Sequence, residues 1–586
     1  MRRIALASAL VLLASPALAA PLSIGVLGPN QKVRPQDNPA TLPGAALRAG
    51  RNEFEPFQIV LFSAAGSAGV TAQLSGSLKG PGGAAIPDAN VVLYAAGYYE
   101  ASAPSNSEGA AGRWPDPLIP DTDTYVGEKR SAFPLDVPAG ESRIIWVDVL
   151  VPTDAAPGDY QGEISVDDGA GSIGKVPVSL HVGSFTLPST ASLRSAFGMG
   201  WSDPCKAHTG SAGCDPKTGW DEPKADALRA LYVRSALEHR FTISLLDFQP
   251  PFGGSQPPFE TSLLPLADGT APTRLVGARV TSVDIDSVDG TDLDKWIPYA
   301  KQKNFFDRLF YYPVDEPGAD AGKWASFVAQ SAKLHGTDAA ARIIITSSIE
   351  DATAAGAADA VDIFVPVIDQ LENRPGTPYA GDHRSGYDAW LGAKSGRQIW
   401  GYQSCDSHGC GGCGATTNDP AFTGWPNRVI DSSAVQDRAF PWLAFRYDLT
   451  GELYFDTSYQ LTSAWDKDGQ CAFGGSGDGT IFYPGTPAVI GGMTDIPVES
   501  IRMKLIREGM EDYEYLTLVA AKDPALAHSI ADTLFPHAYT CAQPPEALEA
   551  ARDQLFALLD QAASVGGAGG SSGGGSSLPR ARGATP

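Results

Sequence analysis

Long apolar runs and positive charge are both scarce in this sequence. Beyond the first 19 residues there is no run of about 18 uncharged apolar residues, the length that a membrane-spanning helix needs. The chain has 43 Lys and Arg against 67 Asp and Glu, a formal charge of 43 − 67 = −24. Such a charge repels phosphate backbones and anionic membrane surfaces. We therefore predict a protein with no transmembrane segment and no nucleic-acid partner.

Two clusters of possible metal ligands each lack a defining element. An acidic segment lacks the glycine that an EF-hand loop needs at its sixth position, which is Asp289 when counted from Asp284. A cysteine-rich segment lacks the second pair of Cys or His residues, at matching spacing, that a structural zinc site needs. We favour disulfides over zinc in this segment, leave an irregular calcium site open, and predict no bound metal and no cofactor. The ligand-type residues of the second cluster are Cys405, His408, Cys410 and Cys413.

The N-terminal residues have the pattern of a secretory signal. Met1-Arg2-Arg3 is followed by an apolar run from Ile4 to Ala14 and then by Ala17-Leu18-Ala19, an A-x-A cleavage pattern. We expect residues 1–19 to be removed and the mature protein to be secreted, periplasmic or at the cell surface. Loss of two arginines would change the formal charge to 41 − 67 = −26.

Seven cysteines in an exported, oxidising setting are expected to form disulfides. Cys205 and Cys214 are close enough in sequence to close one short loop, and some pair among Cys405, Cys410 and Cys413 to close another. Spacing alone leaves the connectivity open. Because the number is odd, one thiol remains unpaired. The sequence does not predict an oligomeric state.

The distribution of apolar segments predicts a multidomain β + α/β protein. Residues 22–190 carry short β-rich segments between Gly, Pro and Asp turns, the pattern of an N-terminal antiparallel β-sandwich. From residue 193 the pattern changes to strand, loop and helix, which predicts a (β/α)8 TIM-type barrel with C-terminal helices over residues 193–562. The Gly- and Ser-rich residues 563–586 are expected to be a flexible tail. The eight candidate barrel strands are 193–199, 241–248, 278–285, 309–314, 342–346, 360–367, 398–402 and 452–455.

The fourth candidate strand ends in two adjacent acids, Asp315 and Glu316, followed by Pro317. The carboxyl end of a parallel strand is where α/β enzymes place their chemistry, so the pair is a catalytic hypothesis. The alternative is that these acids only cap the next helix. Successive side chains of a regular strand point to opposite faces, so a bulge or an early turn is needed to aim both acids at one site.

Aromatic residues near other strand ends suit a sugar pocket. Their rings can cover the apolar face of a pyranose, while nearby amide and carboxyl groups bind its hydroxyls. Each ring taken alone is more often core or rim packing. The predicted substrate-binding residues are Trp201, Tyr312, Trp400, Tyr402, Tyr454 and Trp465.

Residues 499–520 are predicted to form an amphipathic helix that is weakened midway by Gly509. Its charges permit pairs along one face, such as Arg507 with Glu511. Two interpretations stay open: a solvated helix face, or a structural role in support of the site.

Three segments of the chain resemble glycoside hydrolase family 123 and its broader relatives, long catalogued as a domain of unknown function. They are Arg51–Gln58, Tyr312–Pro317 and the segment from Ser500 to Tyr515. The last segment is the most specific, and the architectural resemblance spans roughly residues 22–562.

The resemblance implies a secreted, retaining exo-β-N-acetylhexosaminidase, similar to β-N-acetylgalactosaminidases, that acts on a glycan or oligosaccharide. In such enzymes the 2-acetamido group of the substrate is the nucleophile, an exception to the scheme with two catalytic carboxylates. Asp315 would match the residue that orients the acetamido group and stabilises the oxazolinium charge. Glu316 would match the general acid. The alternative is a non-catalytic carbohydrate-binding or cell-surface protein on the same scaffold.

Overall fold

The computed structural model describes residues 22–566 except 170, 215–221, 245–258, 286, 288–289, 409, 411–412 and 414–419. The predicted signal of residues 1–19 lies outside the described residues, as does most of the predicted tail. The last described helix continues to Gly566, which is three residues past the predicted start of the tail.

The N-terminal part is a β-rich domain. Its strands, in chain order, are β1 (Ser23–Leu27), β2 (Ala45–Arg51), β3 (Glu53–Ser63), β4 (Ser67–Leu74), β5 (Leu78–Lys79), β6 (Ala85–Ile86), β7 (Val91–Ala101), β8 (Gly112–Pro120), β9 (Leu135–Val137), β10 (Glu141–Val151), β11 (Gly158–Asp168) and β12 (Gly171–Thr186). The later strands are β13 (Arg194–Phe197), β14 (Val283–Asp284), β15 (Leu309–Phe310), β16 (Ile344–Ile345), β17 (Ile363–Phe364), β18 (Gln398–Tyr402), β19 (Gly451–Tyr454), β20 (Cys471–Ala472), β21 (Gly475–Ser476), β22 (Tyr483–Gly485) and β23 (Ile496–Ser500).

The α-helices of the described chain all begin after residue 200. They are α1 (Asp203–Thr209), α2 (Glu222–Glu238), α3 (Leu264–Asp268), α4 (Leu293–Gln302), α5 (Ala321–Thr337), α6 (Ile349–Ala354), α7 (Arg384–Ala393), α8 (Ala434–Arg438), α9 (Phe440–Arg446), α10 (Pro487–Ile490), α11 (Ile501–Ala520), α12 (Pro524–Leu534) and α13 (Pro545–Gly566). Over the described residues, none of these helices combines the length and the apolar composition needed to cross a membrane.

Two sheets share the N-terminal core. The first has the order β1-β3-β10-β7-β8-β23-β22, so its last two strands come from the C-terminal part of the chain. The second has the order β2-β12-β11-β4-β9, and its β2–β12 pair is parallel. The N-terminal part is therefore neither purely antiparallel nor built from residues 22–190 alone.

The central strand β3 is buried on both faces. Phe57, Ile59 and Leu61 face the core between the two sheets. Val60 points the other way and packs in a cluster that includes Ile501 and Leu505 of α11. This alternation explains why Ile59, Val60 and Leu61 are all apolar, because each face of the pleated strand meets a different layer.

The predicted (β/α)8 TIM-type barrel is wrong, because no closed barrel is found in the described part of the chain. The parallel strands form a five-stranded sheet, β13-β19-β18-β17-β16, and a separate pair, β14-β15. Isolated bridges join Tyr311 to Ile343 and Phe197 to Ile243. Sequence periodicity places the strands but does not show whether the backbone ladder between them is continuous.

Side-chain hydroxyls interrupt the ladder next to β13. The amide of Thr281 donates to Thr242 Oγ1 at 2.8 Å, and the amide of Ser195 donates to Thr281 Oγ1 at 3.0 Å. The amide of Thr242 in turn donates to Ser195 Oγ at 2.8 Å. Hydroxyl oxygens therefore replace backbone carbonyls as acceptors, which satisfies buried amides without a sheet pair.

Helix α11 is buried, which settles the open question about the charged segment from residue 499 to 520. Sixteen of its 20 residues are buried. Arg502 pairs with Asp116 of β8, and Lys504 and Arg507 both pair with Asp148 of β10. The charged residues are thus not a solvated face; they join the helix to the first sheet.

Gly509 sits where α11 approaches another backbone closely. A Cβ atom at this position would lie 2.5 Å from the carbonyl oxygen of Arg438, at the end of α8. Such an approach is closer than side-chain carbons tolerate, so glycine is needed here even though it lowers helix propensity.

Three disulfides join the cysteine pairs Cys205–Cys214, Cys405–Cys410 and Cys413–Cys471, and Cys541 is a buried free thiol. The first pair is the predicted short loop. Because Cys405, Cys410 and Cys413 are all oxidised, they are not available as the thiolate ligands of the zinc alternative. His408 instead stacks on Trp425, with ring centroids 5.1 Å apart, and burial lowers its pKa to about 3.

Candidate active site

The acid pair Asp315 and Glu316 lies just beyond β15, at the carboxyl ends of the parallel strands. Both side chains are exposed and line one cavity of about 420 Å³. Glu316 has a φ of +39°, a left-handed backbone conformation that is uncommon for a residue other than glycine. This early turn breaks the strand alternation and lets two successive carboxylates reach the same cavity.

The helix that follows is capped by a different acid. Asp320 is the N-cap of α5, and its Oδ1 accepts hydrogen bonds from the amides of Gly322 and Lys323 at 2.8 and 3.1 Å. One side-chain oxygen there satisfies two of the free amides of the first turn. The capping alternative for the acid pair therefore has no support from the geometry, since Asp320 already performs that role.

Asp315 is held by two hydroxyl groups. Tyr312 Oη donates to Asp315 Oδ1 at 2.5 Å, and Thr346 Oγ1 donates to the same oxygen at 3.1 Å. Burial, together with the negative charge of Asp315, raises the pKa of Tyr312 well above its usual value. The phenol therefore stays protonated and donates its hydrogen bond to the Asp315 carboxyl group.

Glu316 is positioned by a tyrosine from a neighbouring strand. Tyr402, the last residue of β18, donates from Oη to Glu316 Oε1 at 2.7 Å. The backbone amide of Glu316 donates to Thr346 Oγ1 at 3.0 Å. Lys323 Nζ donates to the carbonyl oxygens of Asp315 and Glu316 at 2.8 and 3.2 Å. The unusual turn is thus fixed by both a hydroxyl and an ammonium group.

Thr346 connects these contacts. Its Oγ1 lies 2.7 Å from Tyr312 Oη, in addition to its contacts with Asp315 and the amide of Glu316. The residue is buried and follows β16 directly. Our sequence interpretation did not select it, although its place at the end of the fifth candidate strand was the available signal.

The structure brings together only the tyrosines among the predicted substrate-binding residues. Tyr312, Tyr402 and Tyr454 line the cavity. Tyr454 Oη donates to Asp478 Oδ1 at 3.0 Å, and burial raises the pKa of the Asp478 carboxyl group to about 6. Asp478, which also lines the cavity, is a residue that sequence reasoning missed because it lies in a loop without a motif.

The three predicted tryptophans lie elsewhere. Trp400 is buried beneath the cavity, where its ring packs edge-on against Phe310 at 5.7 Å. Trp201 lies under the guanidinium group of Arg229, which is 3.7 Å from its ring centroid. Trp465 packs on Tyr483 and donates from Nε1 to a backbone carbonyl. Each ring therefore has a packing role within the fold.

Gln403 adds a buried polar group to the cavity wall. Its side chain is almost fully buried, and within the described residues neither its amide oxygen nor its amide nitrogen has a hydrogen-bond partner. Buried amides are normally paired, so an unpaired one beside a cavity is suited to a polar ligand. A separate cavity of about 320 Å³ near Glu55 and Arg438 does not include the acid pair.

Two stretches of the chain match known protein-family models. Residues 31–168 match the glycoside hydrolase 123 N-terminal domain, and residues 416–519 match the glycoside hydrolase 123 catalytic domain. The second match includes the buried helix α11 and Tyr454, whereas Asp315 and Glu316 precede it. No curated protein sequence matches the chain.

Among solved structures, a family 123 glycoside hydrolase from Clostridium perfringens, studied for glycolipid glycan hydrolysis, shares the fold. Its TM-score is 0.64 at 13% identity, and the alignment covers 93% of this chain and 98% of that one. A GH5 xyloglucanase from Bacteroides ovatus aligns with a TM-score of 0.27 at 9% identity, covering 83% of this chain and 100% of its own. A family 2 glycosyl hydrolase from Bacteroides cellulosilyticus aligns with a TM-score of 0.24 at 10% identity, over 70% and 44% of the two chains. With two domain matches and a shared fold over most of its length, the chain is similar to the glycoside hydrolases of family 123.

Proposed function

We propose that the protein is an exported, retaining exo-β-N-acetylhexosaminidase whose nucleophile is the 2-acetamido group of its own substrate. The observation that carries this proposal is the placement of Asp315 and Glu316 in one cavity, each fixed by its own tyrosine hydroxyl. The predicted signal at residues 1–19 supports export. The preference for N-acetylgalactosamine rests on the family resemblance alone.

The contacts of Asp315 favour electrostatic stabilisation over nucleophilic attack. Two hydroxyl groups donate to its Oδ1, and such hydrogen bonds stabilise the negative charge and make the oxygen a weaker nucleophile. A fixed carboxylate of this kind orients the N–H of the acetamido group. It also stabilises the positive charge as the acetamido oxygen closes on the anomeric carbon.

Glu316 is assigned the proton transfers. In the first step its proton moves to the glycosidic oxygen as the bond from that oxygen to the anomeric carbon breaks and the oxazolinium ring forms. In the second step the carboxylate takes a proton from water as the water attacks the anomeric carbon, which reopens the ring with retained configuration. Tyr402 holds Oε1, so the other carboxyl oxygen is assigned to carry the proton. Gln403 is assigned to a polar group of the terminal sugar.

The test is hydrolysis of aryl β-N-acetylgalactosaminide, aryl β-N-acetylglucosaminide and aryl β-galactoside. We expect release only from acetamido sugars. Glu316→Gln should lower kcat by about 10²–10⁴-fold, with the larger loss on substrates whose leaving group is a poor one, because a good leaving group needs less protonation. Asp315→Asn should lower kcat by a comparable factor on every acetamido substrate.

Azide separates the two roles. It attacks the oxazolinium ion without a general base, so it should accelerate Glu316→Gln and yield a β-glycosyl azide, but it should not rescue Asp315→Asn. Glu163→Gln, on the N-terminal sheet and 41% exposed, is the matched control. Release from aryl β-galactoside at a similar rate, or full activity of Glu316→Gln, would refute the proposal.

A further inference from the structure

Three aromatic side chains form an exposed cluster at the mouth of the cavity. Phe455, Tyr459 and Phe473, here called the aromatic platform, are 55%, 49% and 37% exposed. Their ring centroids lie 4.7–5.8 Å apart, so each ring contacts the other two. Phe455 and Phe473 line the same cavity as the acid pair.

Phe473 occupies a backbone position that is unfavourable for its side chain. It is the first residue of the two-residue turn between β20 and β21, where Ala472 pairs with Gly475. Phe473 has a φ of +46° and Gly474 a φ of +85°. Turns with two such residues favour Asn-Gly or Asp-Gly, and a bulky side chain there is an outlier. Because the ring is also partly exposed, burial does not compensate for this conformation, and local strain of this kind concentrates at functional sites.

The hairpin that carries Phe473 is anchored on both strands. Cys471 of β20 is joined to Cys413 by a disulfide. Gly475 of β21 packs so closely on Cys405 and Val429 that a Cβ atom at Gly475 would lie within 3.0 Å of both side chains. The ring is therefore held in place before any ligand arrives, which lowers the entropic cost of binding.

Polar groups border the platform on the cavity side. Ser404, Asp406 and Ser407 line the cavity together with Phe455 and Phe473. Flat rings flanked by hydroxyl and carboxyl groups suit a sugar, whose ring has an apolar face and a rim of hydroxyls. An apolar protein partner would instead favour a larger patch without such polar neighbours.

We propose that the aromatic platform binds the second sugar of the substrate, on the leaving-group side of the bond that is cleaved. This inference rests on the proposed function, because an exo-acting enzyme holds the terminal sugar inside the cavity and the next sugar at its mouth. The platform thus makes the enzyme select glycans over simple glycosides.

The test compares two substrates that share the terminal sugar. One is a disaccharide of N-acetylgalactosamine β-linked to galactose, and the other is N-acetylgalactosaminyl β-azide, whose leaving group has no ring. In Phe473→Asn, the ratio of kcat/KM for the disaccharide to that for the azide should fall by about five- to tenfold, the effect of losing one aromatic contact. Phe473→Tyr keeps a ring and should retain the ratio of the unmodified protein.

Phe473→Asn also provides a check on folding, because asparagine tolerates the left-handed turn better than phenylalanine. Its Tm should equal or exceed that of the unmodified protein, so a lowered ratio would not be due to misfolding. An unchanged ratio in Phe473→Asn would overturn the proposal. An octyl β-glycoside hydrolysed as well as the disaccharide would also overturn it, because that result would indicate a site for an apolar chain.

Measuring disaccharide binding by calorimetry tests the aromatic platform even if the protein hydrolyses neither substrate. If neither substrate is hydrolysed, the proposed function is refuted, and binding of the same disaccharide to the unmodified protein and to Phe473→Asn decides the platform. Weaker binding by about five- to tenfold in the variant would support it. Equal binding, or no binding to either protein, would overturn it.

Discussion

Thr346 offers the sharpest test of how the acid pair is positioned. Thr346→Val replaces the hydroxyl group with a methyl group of nearly the same shape at a buried site. The substitution removes the donor at 3.1 Å to Asp315 and the acceptor at 3.0 Å from the amide of Glu316. It also removes the contact at 2.7 Å with Tyr312. The backbone and the apolar packing around the site are left in place.

The contacts set the expected size of the effect. A hydrogen bond to a charged group contributes about 1.5–3 kcal/mol, and an amide left without an acceptor costs about 1–3 kcal/mol. Part of this lost free energy lowers the stability of the folded protein, and part raises the energy of the transition state relative to the bound substrate. If about 1.4–2.8 kcal/mol falls on the transition state, kcat decreases by about 10- to 100-fold.

The assay is steady-state hydrolysis of an aryl β-N-acetylhexosaminide by Thr346→Val and Thr346→Ser. Proton transfer is assigned to Glu316 and charge stabilisation to Asp315, so we expect Thr346 to act as a positioning residue. Its loss should lower kcat and kcat/KM by similar factors with little change in KM. Thr346→Ser keeps the hydroxyl group and should recover most of the activity.

Two results would refute this reasoning. One is a kcat for Thr346→Val within twofold of that of the unmodified protein. The other is a Thr346→Ser variant as impaired as Thr346→Val while both unfold at the same temperature, since the hydroxyl group would then not be the active feature.

Two further predictions concern stability. Burial is the main cause that raises the pKa of Asp456 to about 7, so the folded protein keeps this proton between about pH 4 and 7 while the unfolded chain loses it, and stability falls as pH rises through this window. Asp456→Asn keeps an oxygen acceptor for the three donors of this carboxyl group but cannot titrate. The free energy of unfolding in urea, measured at pH 4.5 and at pH 8, should therefore fall between these pH values by roughly 2–4 kcal/mol less in the variant than in the unmodified protein. An equal fall in both proteins would contradict the prediction. Arg502→Met should destabilise the protein by about 3–5 kcal/mol because it leaves Asp116 buried without its partner. Arg48→Met breaks an exposed pair with Asp553 and should cost at most about 1 kcal/mol, so equal losses in the two variants would contradict the argument.

The position of the acid pair could be predicted from sequence because its cause is local. An apolar run that ends in Asp315, Glu316 and Pro317 indicates a buried strand followed by a turn, whatever the rest of the chain does. The short disulfide Cys205–Cys214 was predictable for the same reason, since the two cysteines are only nine positions apart in the sequence. The family resemblance added the roles of the two acids, which remain proposals.

The sequence could not predict which residues of a strand lie beneath the cavity and which reach into it. Trp400 and Tyr402 are two residues apart on β18 and share a face, yet Trp400 belongs to a buried cluster and Tyr402 reaches Glu316. Alternation separates the two faces of a strand, but it does not say where the cavity floor lies. The floor is set by neighbouring strands, here by Phe310 of β15, which packs against the ring of Trp400.

By itself, the sequence determined the features that depend on neighbours along the chain: the strand that ends in two acids, the β-rich N-terminal part and a helix predicted over residues 499–520, which the structure begins at Ile501. Only the tertiary structure decided that this helix is buried, because Arg502 and Asp116 are 386 residues apart in sequence. Within the described residues, it also decided that the parallel strands do not close into a barrel, since hydroxyl groups of Thr242 and Thr281 take the place of a backbone ladder. Pairing of charges and closure of sheets depend on distances between remote segments, and residue spacing does not contain those distances.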